Sequence, residues 1–259
     1  MVEPVTQGRV IRSEWIKLRS VRSSWFALAA TVLAVAGIGL LVSYVNHAHW
    51  STMSAADRAD IDPVNQSLIG VNLAELTVGV LGVLVAAGEY ATGMVRATFA
   101  AVPRRLPVLV AKAGVLAAVA FTVCLVAVLI AFVGGQAIFG SDSNSPGSVE
   151  AVRAVLGATA YLTVVGVTGI GLGFLTRSTA GGIAILLAAL LVLPITVASL
   201  PGSFSRTFER YLPSTAGRAL FTNYGGDAML SRWAGFGIFL LYAVLVVSAA
   251  ALVLRRRDA

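Results

Sequence analysis

Six stretches of about twenty or more predominantly apolar residues, at 25–45, 68–87, 108–138, 155–176, 180–200 and 233–254, limit what this chain can fold into. A helix rising about 1.5 Å per residue crosses a hydrocarbon layer of about 30 Å in some 20 residues. Hydrocarbon offers no partner for a free backbone N–H or C=O, so each stretch must bond its own backbone as a helix. The expectation is an all-α, polytopic membrane protein with six transmembrane helices, forming a single domain over 1–259. Composition agrees: the chain is 58% hydrophobic and only 12% charged, where a soluble domain carries about 25% charge. The single cysteine, Cys124, excludes a disulfide scaffold or a four-thiolate zinc site, and its apolar surroundings read as those of a small buried hydrophobe. The first stretch outlasts the roughly 7–15 apolar residues of a signal peptide, so it reads as a span.

Orientation follows the basic residues. With both termini in the cytoplasm, the inner side holds Arg9, Arg12, Lys17, Arg19, Arg22, Arg96, Arg104, Arg105, Lys112, Arg177, Arg255, Arg256 and Arg257. The outer side holds Arg58, Arg153, Arg206, Arg210, Arg218 and Arg232. Thirteen against six selects this topology in the cell membrane. The acidic residues agree, with Asp57, Asp60 and Asp62 outside. Four arginines between spans five and six are discordant, unless a polar segment there folds against the outer surface. The basic residues lie beside apolar spans rather than in an aromatic-interleaved stripe, which excludes nucleic acid as the partner. The arginine-, alanine-, valine- and glycine-rich composition suggests a GC-rich bacterial source.

Two cytoplasmic pieces are patterned. Within the amphipathic helix expected over 1–24, Ile11, Trp15, Leu18, Val21 and Trp25 form one helical stripe flanked by Arg12, Lys17, Arg19 and Arg22. Such a helix lies in the headgroup plane, either as an anchor alone or as an elbow that also touches a cytoplasmic partner. Between spans two and three, Gly88 is expected to end a helix and Thr92 to cap a short new one. Val95, Phe99 and Val102 would line one face of it, and Pro103 and Pro107 would stop it. A nineteen-residue connection where four or five would reverse the chain reads as a docking element or as a passive interfacial turn.

Inside the bundle, Glu75 is the one ionisable residue deep in a span, with Asn72 and Thr77 near it. It is expected to contact substrate or line a translocation path, to bond a neighbouring helix, or to reach the outer headgroups. Lys112, near the start of span three, is expected to snorkel. Gly166, Gly169, Gly171 and Gly173 thin span four and are expected to pack on span five, where Gly181 and Gly182 begin, or on another subunit. Pro194 would kink span five. His47 and His49 form an H-x-H in the outer loop, which reads as solvated residues or, with a third ligand in fixed geometry, as a metal site. The segment 201–232, with Phe204, Phe208, Tyr211, Leu212 and Phe221 among arginines, reads as short helices on the outer interface that cap an exit.

The run GEYATGMVRATFAAVPRRLPVLVAK (88–112), preceded by the basic SEWIKLRS (13–20), resembles the ABC-2 type transporter permease family, its actinobacterial branch in particular. Glu89, Gly93, Arg96, Thr98, Pro103, Arg104, Arg105 and Lys112 match the family pattern, while Ala91 stands where a larger polar residue is expected. The resemblance implies that the connection is a coupling helix seated on a separate ATP-binding subunit, through Glu89, Thr92, Gly93, Val95, Arg96, Thr98, Phe99, Val102, Pro103, Arg104 and Arg105. It also implies an elbow helix, a second permease copy or a related permease, and two ATPase subunits. Glu75 and Asn72 would then lie on the translocation path. A P-loop needs a lysine after glycine, and the only lysines follow Ile16 and Ala111. ATP and Mg are therefore expected in the partner, with no cofactor or metal and no enzyme site in this chain. The expected function is half of the pathway of an ATP-driven exporter. The alternative is a proton-coupled transporter using Glu75, which predicts internal repeats that the sequence does not show.

Overall fold

A computed structural model of the chain describes residues 6–54, 56, 58, 61–140, 148–201, 203–222 and 230–256, without the side chains of 203, 204 and 206. Asp57, Asp60 and Arg257, and the side chains of Phe204 and Arg206, lie outside the described residues. All regular structure among the described residues is helical. Among the described residues six helices are long and apolar enough to cross a membrane: α2 (Arg22–His49), α4 (Val71–Ala91, preceded by a short α3 at Pro63–Ser67), α6 (Leu106–Phe139), α7 (Val149–Thr176), α8 (Thr179–Ala198) and α11 (Arg232–Arg256). Shorter helices are α1 (Gln7–Ser20), α5 (Met94–Ala101), α9 (Ser203–Glu209) and α10 (Pro213–Arg218).

Local chemistry sets most boundaries. Asp62 caps α3 at the Val64 N–H (2.9 Å) with Pro63 in the first turn. Ser148 and Ser178 cap α7 and α8 through the N–H groups of Ala151 and Gly181, each at 3.2 Å. Val21, in extended conformation, ends α1 and starts α2. The connection between spans two and three differs from the expected capping. Span two runs past Gly88 to Ala91, and Thr92 turns its hydroxyl back to the Gly88 carbonyl (3.0 Å). The break falls at Gly93, whose φ of 72° lies in the left-handed region that glycine adopts without strain. A π-helical segment, Ala188–Val192, precedes Pro194. The wider turn accommodates the missing proline N–H and the ring's pressure on the preceding turn.

Glycines fix the bundle's centre. A Cβ at Gly82 would strike the Gly166 carbonyl oxygen, one at Gly169 would strike that of Gly79, and one at Gly173 would meet Ala86 and Val83. The partner of Gly166, Gly169 and Gly173 is therefore span two, not span five as expected. Gly171 faces Val246 of α11, and Gly182 of α8 also meets Val83 of α4. Without a hydrophobic driving force between apolar helices, backbone-to-backbone approach supplies the packing. It draws α4 and α7 into the middle, and α2, α6, α8 and α11 surround them. Cys124 is a buried free thiol in this core.

The two ends of the bundle differ. At one end α1, α5 and the last turn of α11 converge, where the Gln7 amide donates to the Pro107 carbonyl (3.2 Å) and Arg105 to that of Leu254 (3.3 Å). At the other end α10 sinks between α7 and α11: Ser214, Ala216 and Gly217 are buried, and a Cβ on Gly217 would hit Tyr161. α10 is inserted into the bundle rather than laid on its surface as expected, while Phe208 and Tyr211 before it stay exposed. Leu220 and Phe221 close over Gly157.

Candidate functional site

α1 carries one acidic residue, Glu14, among basic ones. Val10, Glu14 and Leu18 recur every fourth residue and form the buried face of the helix against α6. The stripe expected to be apolar and interfacial is divided: Leu18 turns inward, while Ile11, Trp15, Val21 and Trp25 remain exposed.

Glu14 meets two lysines and, through them, Glu89. Lys112 Nζ lies 2.5 Å from Glu14 Oε2 and 2.9 Å from Glu89 Oε1. Lys17 Nζ lies 2.8 Å from Glu14 Oε1 and 2.9 Å from Glu89 Oε1. It also donates to the Thr98 hydroxyl (3.1 Å), which in turn donates to Glu89 Oε2 (3.3 Å). Two carboxylates and two ammonium groups thus balance. They come from α1, the end of α4 and the start of α6, and Thr98 ties in α5. Lys112 does not snorkel; its side chain is 2% exposed. Neutralisation inside the bundle removes the reason to reach water. Burial acts to lower the Lys17 pKa, but hydrogen bonds and charge from Glu14 and Glu89 leave it above the ordinary lysine value.

α5 is seated on this network. Val95 and Phe99 are buried beneath it, and the Arg105 guanidinium lies 5.3 Å over the Phe99 ring. Of the residues expected to couple to a partner, Glu89, Val95 and Phe99 are buried, and Thr98, Val102 and Arg105 are half-buried. Thr92, Gly93, Arg96, Pro103 and Arg104 are exposed, together with Met94. The inward residues hold the helix in place, and the outward ones form its accessible surface. Beside them Arg177, with a φ of 50°, ends α7 in a conformation that side chains rarely take and sets its guanidinium 5.6 Å over the Tyr90 ring. Glu14 and Lys17 were not expected in this site. Their signal was present as a lone acid in register with Val10 and Leu18, three residues before a lysine.

At the opposite end Glu75 of α4 is buried. It accepts hydrogen bonds from the Tyr161 hydroxyl of α7 and from Arg218 Nη2 at 2.6 Å. Burial acts against the Arg218 charge, but the Glu75 carboxylate overrides it and holds the guanidinium pKa above its ordinary value. One of the discordant arginines thus neutralises an internal acid. Arg153, at the start of α7 and not one of those four, donates to the Leu220 carbonyl at 2.7 Å. Asn72 and Thr77 do not join Glu75: Asn72 is exposed, and Thr77 pairs with Thr31 of α2 at 2.8 Å. His49 Nδ1 bonds the Val45 carbonyl oxygen (2.8 Å), and His47 lies edge-on to Phe139.

Among sequence families, the model described as ABC-2 family transporter protein matches residues 10–200 of the chain. The match covers α1 from Val10 onward, α5 and the first five spans. No curated protein sequence matches it.

Proposed function

The chain belongs to the ABC-2 transporter family, and we propose that it is the membrane-spanning permease subunit of an ATP-driven exporter, its α5 acting as the coupling helix. The observation that carries this reading is the seating of α5. Its inward side is fixed by Val95 and Phe99 to an apolar cluster and by Thr98 to a buried charge network, while Met94, Arg96 and Arg104 face outward at the end of the bundle. A push on the outward side would move α1, span two and span three together, because Lys17 and Lys112 hold all three through the same two carboxylates. An ABC ATP-binding subunit is the partner, and it would hold ATP and Mg. A second permease, identical or related, would complete the pathway. The basic excess at the α1 end makes that end, with both termini, cytoplasmic in the cell membrane.

Glu75 is assigned an anchoring role at the outer end of the path, where its pairing with Arg218 draws α10 into the bundle. A proton carrier would need a carboxylate open to water, and that of Glu75 is 2% exposed and held by Tyr161 and Arg218. Asn72, exposed one turn away, is the polar residue placed to meet a passing substrate or a second permease.

The test is ATP hydrolysis in proteoliposomes containing the chain and its co-purifying ATP-binding subunit. Met94→Glu with Arg96→Glu should abolish stimulation of ATP turnover while the permease keeps its melting temperature. Failure of any ATP-binding subunit to co-purify, or unchanged stimulation in the double variant, would overturn the reading.

A further inference from the structure

A groove of about 420 Å³ runs between α1, the start of α2 and the middle of α6, within the range of about 300–1,000 Å³ typical of ligand sites. Leu18, Leu28, Val119 and Val123 line it with aliphatic groups. Trp15 and Trp25 flank it, 47% and 58% exposed. The Trp25 indole N–H donates to the Arg19 carbonyl (2.9 Å), which holds that ring across the bend between α1 and α2. The Thr122 hydroxyl on its wall already donates to Ala118 O (2.9 Å). An apolar groove of this kind suits hydrocarbon better than water.

Charge defines the groove's upper rim. Arg19 lines it, Arg22 begins α2 at the same bend, and both are exposed. The only acid of α1, Glu14, is turned inward to Lys112 and Lys17. The burial of Glu14 therefore leaves the exposed charge of α1 positive. Tryptophans at an interface, a basic rim and an aliphatic floor complement a single amphiphile with a negative head.

We propose that this groove binds one anionic phospholipid from the surrounding leaflet, its phosphate at Arg19 and Arg22 and an acyl chain along Leu18, Leu28, Val119 and Val123. The lipid would wedge the bend at Val21 and so hold α1 at a fixed angle to the bundle. Because α1 shares Glu14 with Lys112, lipid occupancy would also steady the charge network.

The chain purified in neutral detergent is titrated with phosphatidylglycerol or phosphatidylcholine of identical acyl chains, and bound lipid is counted by native mass spectrometry. One phosphatidylglycerol per chain should bind about tenfold tighter than phosphatidylcholine. Arg19→Gln with Arg22→Gln should bring the two affinities together. Thr122→Phe, which fills the groove from an exposed position, should lose the bound lipid with α-helical circular dichroism unchanged. Equal affinities in the wild type, a preference surviving in the arginine variant, or undiminished occupancy in Thr122→Phe would each overturn the proposal.

Discussion

Arg218, in a short helix between spans five and six, places its guanidinium 2.6 Å from the carboxylate of Glu75 in span two, 143 residues away in sequence. Either charge alone would be costly to keep at this depth, and together they draw α10 into the bundle. The two partners are not equivalent, since the Arg218 side chain is 29% exposed and that of Glu75 2%.

Arg218→Met should therefore destabilise the chain more than Glu75→Gln does. The first leaves a carboxylate that cannot reach water, at a cost of about 3–5 kcal/mol. The second leaves a guanidinium able to turn to solvent. Combining the two should recover most of the loss. Melting temperatures of all four proteins in detergent check this; equal single losses that simply add would refute the coupling.

Lys112→Met should cost about 3–5 kcal/mol, because Glu14 and Glu89 would then share Lys17 alone. Adding Glu14→Gln restores a balance of one carboxylate and one ammonium and should return part of that stability. A double-mutant cycle on thermal unfolding reads the coupling, and a coupling near zero would place Lys112 outside the network.

Gly82→Ala and Gly114→Ala should act in opposite directions. At Gly82 the new methyl meets the Gly166 carbonyl, which belongs to a helix backbone and cannot turn aside, so a loss of about 1–3 kcal/mol is expected. At Gly114 nothing beyond the backbone of its own helix lies within 4 Å of that position, and alanine there should add about 0.8–1 kcal/mol through helix propensity. Melting-temperature shifts of the same sign would contradict the packing of span two on span four.

Lys17 gives a pH dependence with a definite sign. Its folded-state pKa lies above the ordinary 10.5, so its contribution is complete below pH 10.5 and is lost as pH rises through the higher, folded-state value. The melting temperature should fall above pH 10.5 in the wild type and fall less in Lys17→Met. Parallel profiles for the two proteins would show that Lys17 contributes nothing to that fall.

The six spans and α5 were legible because each is a local pattern. Apolar length alone forces a helix in hydrocarbon, and Val95 and Phe99, four apart, mark a single face of α5. The Gly88 and Thr92 caps were misplaced because either residue is compatible with continuing a helix. Only Gly93 takes the left-handed turn. The α1 stripe was divided for a similar reason: Leu18 fits either the lipid-facing or the inward side by hydropathy, and Glu14 decided which side turned in.

The sequence by itself determined the number and position of the membrane helices, the short helix between spans two and three, and the charge asymmetry between the two ends. Each depends on residues within a few turns of one another, through hydrophobic period and backbone satisfaction. Only the tertiary structure decided that span two, rather than span five, receives the glycines of span four. It also decided that Lys112 is neutralised by Glu14 and Glu89 instead of snorkelling, and that Arg218 is the counter-ion of Glu75. Those outcomes turn on distances of a few ångströms between residues 23 to 143 positions apart, and no local periodicity encodes such distances.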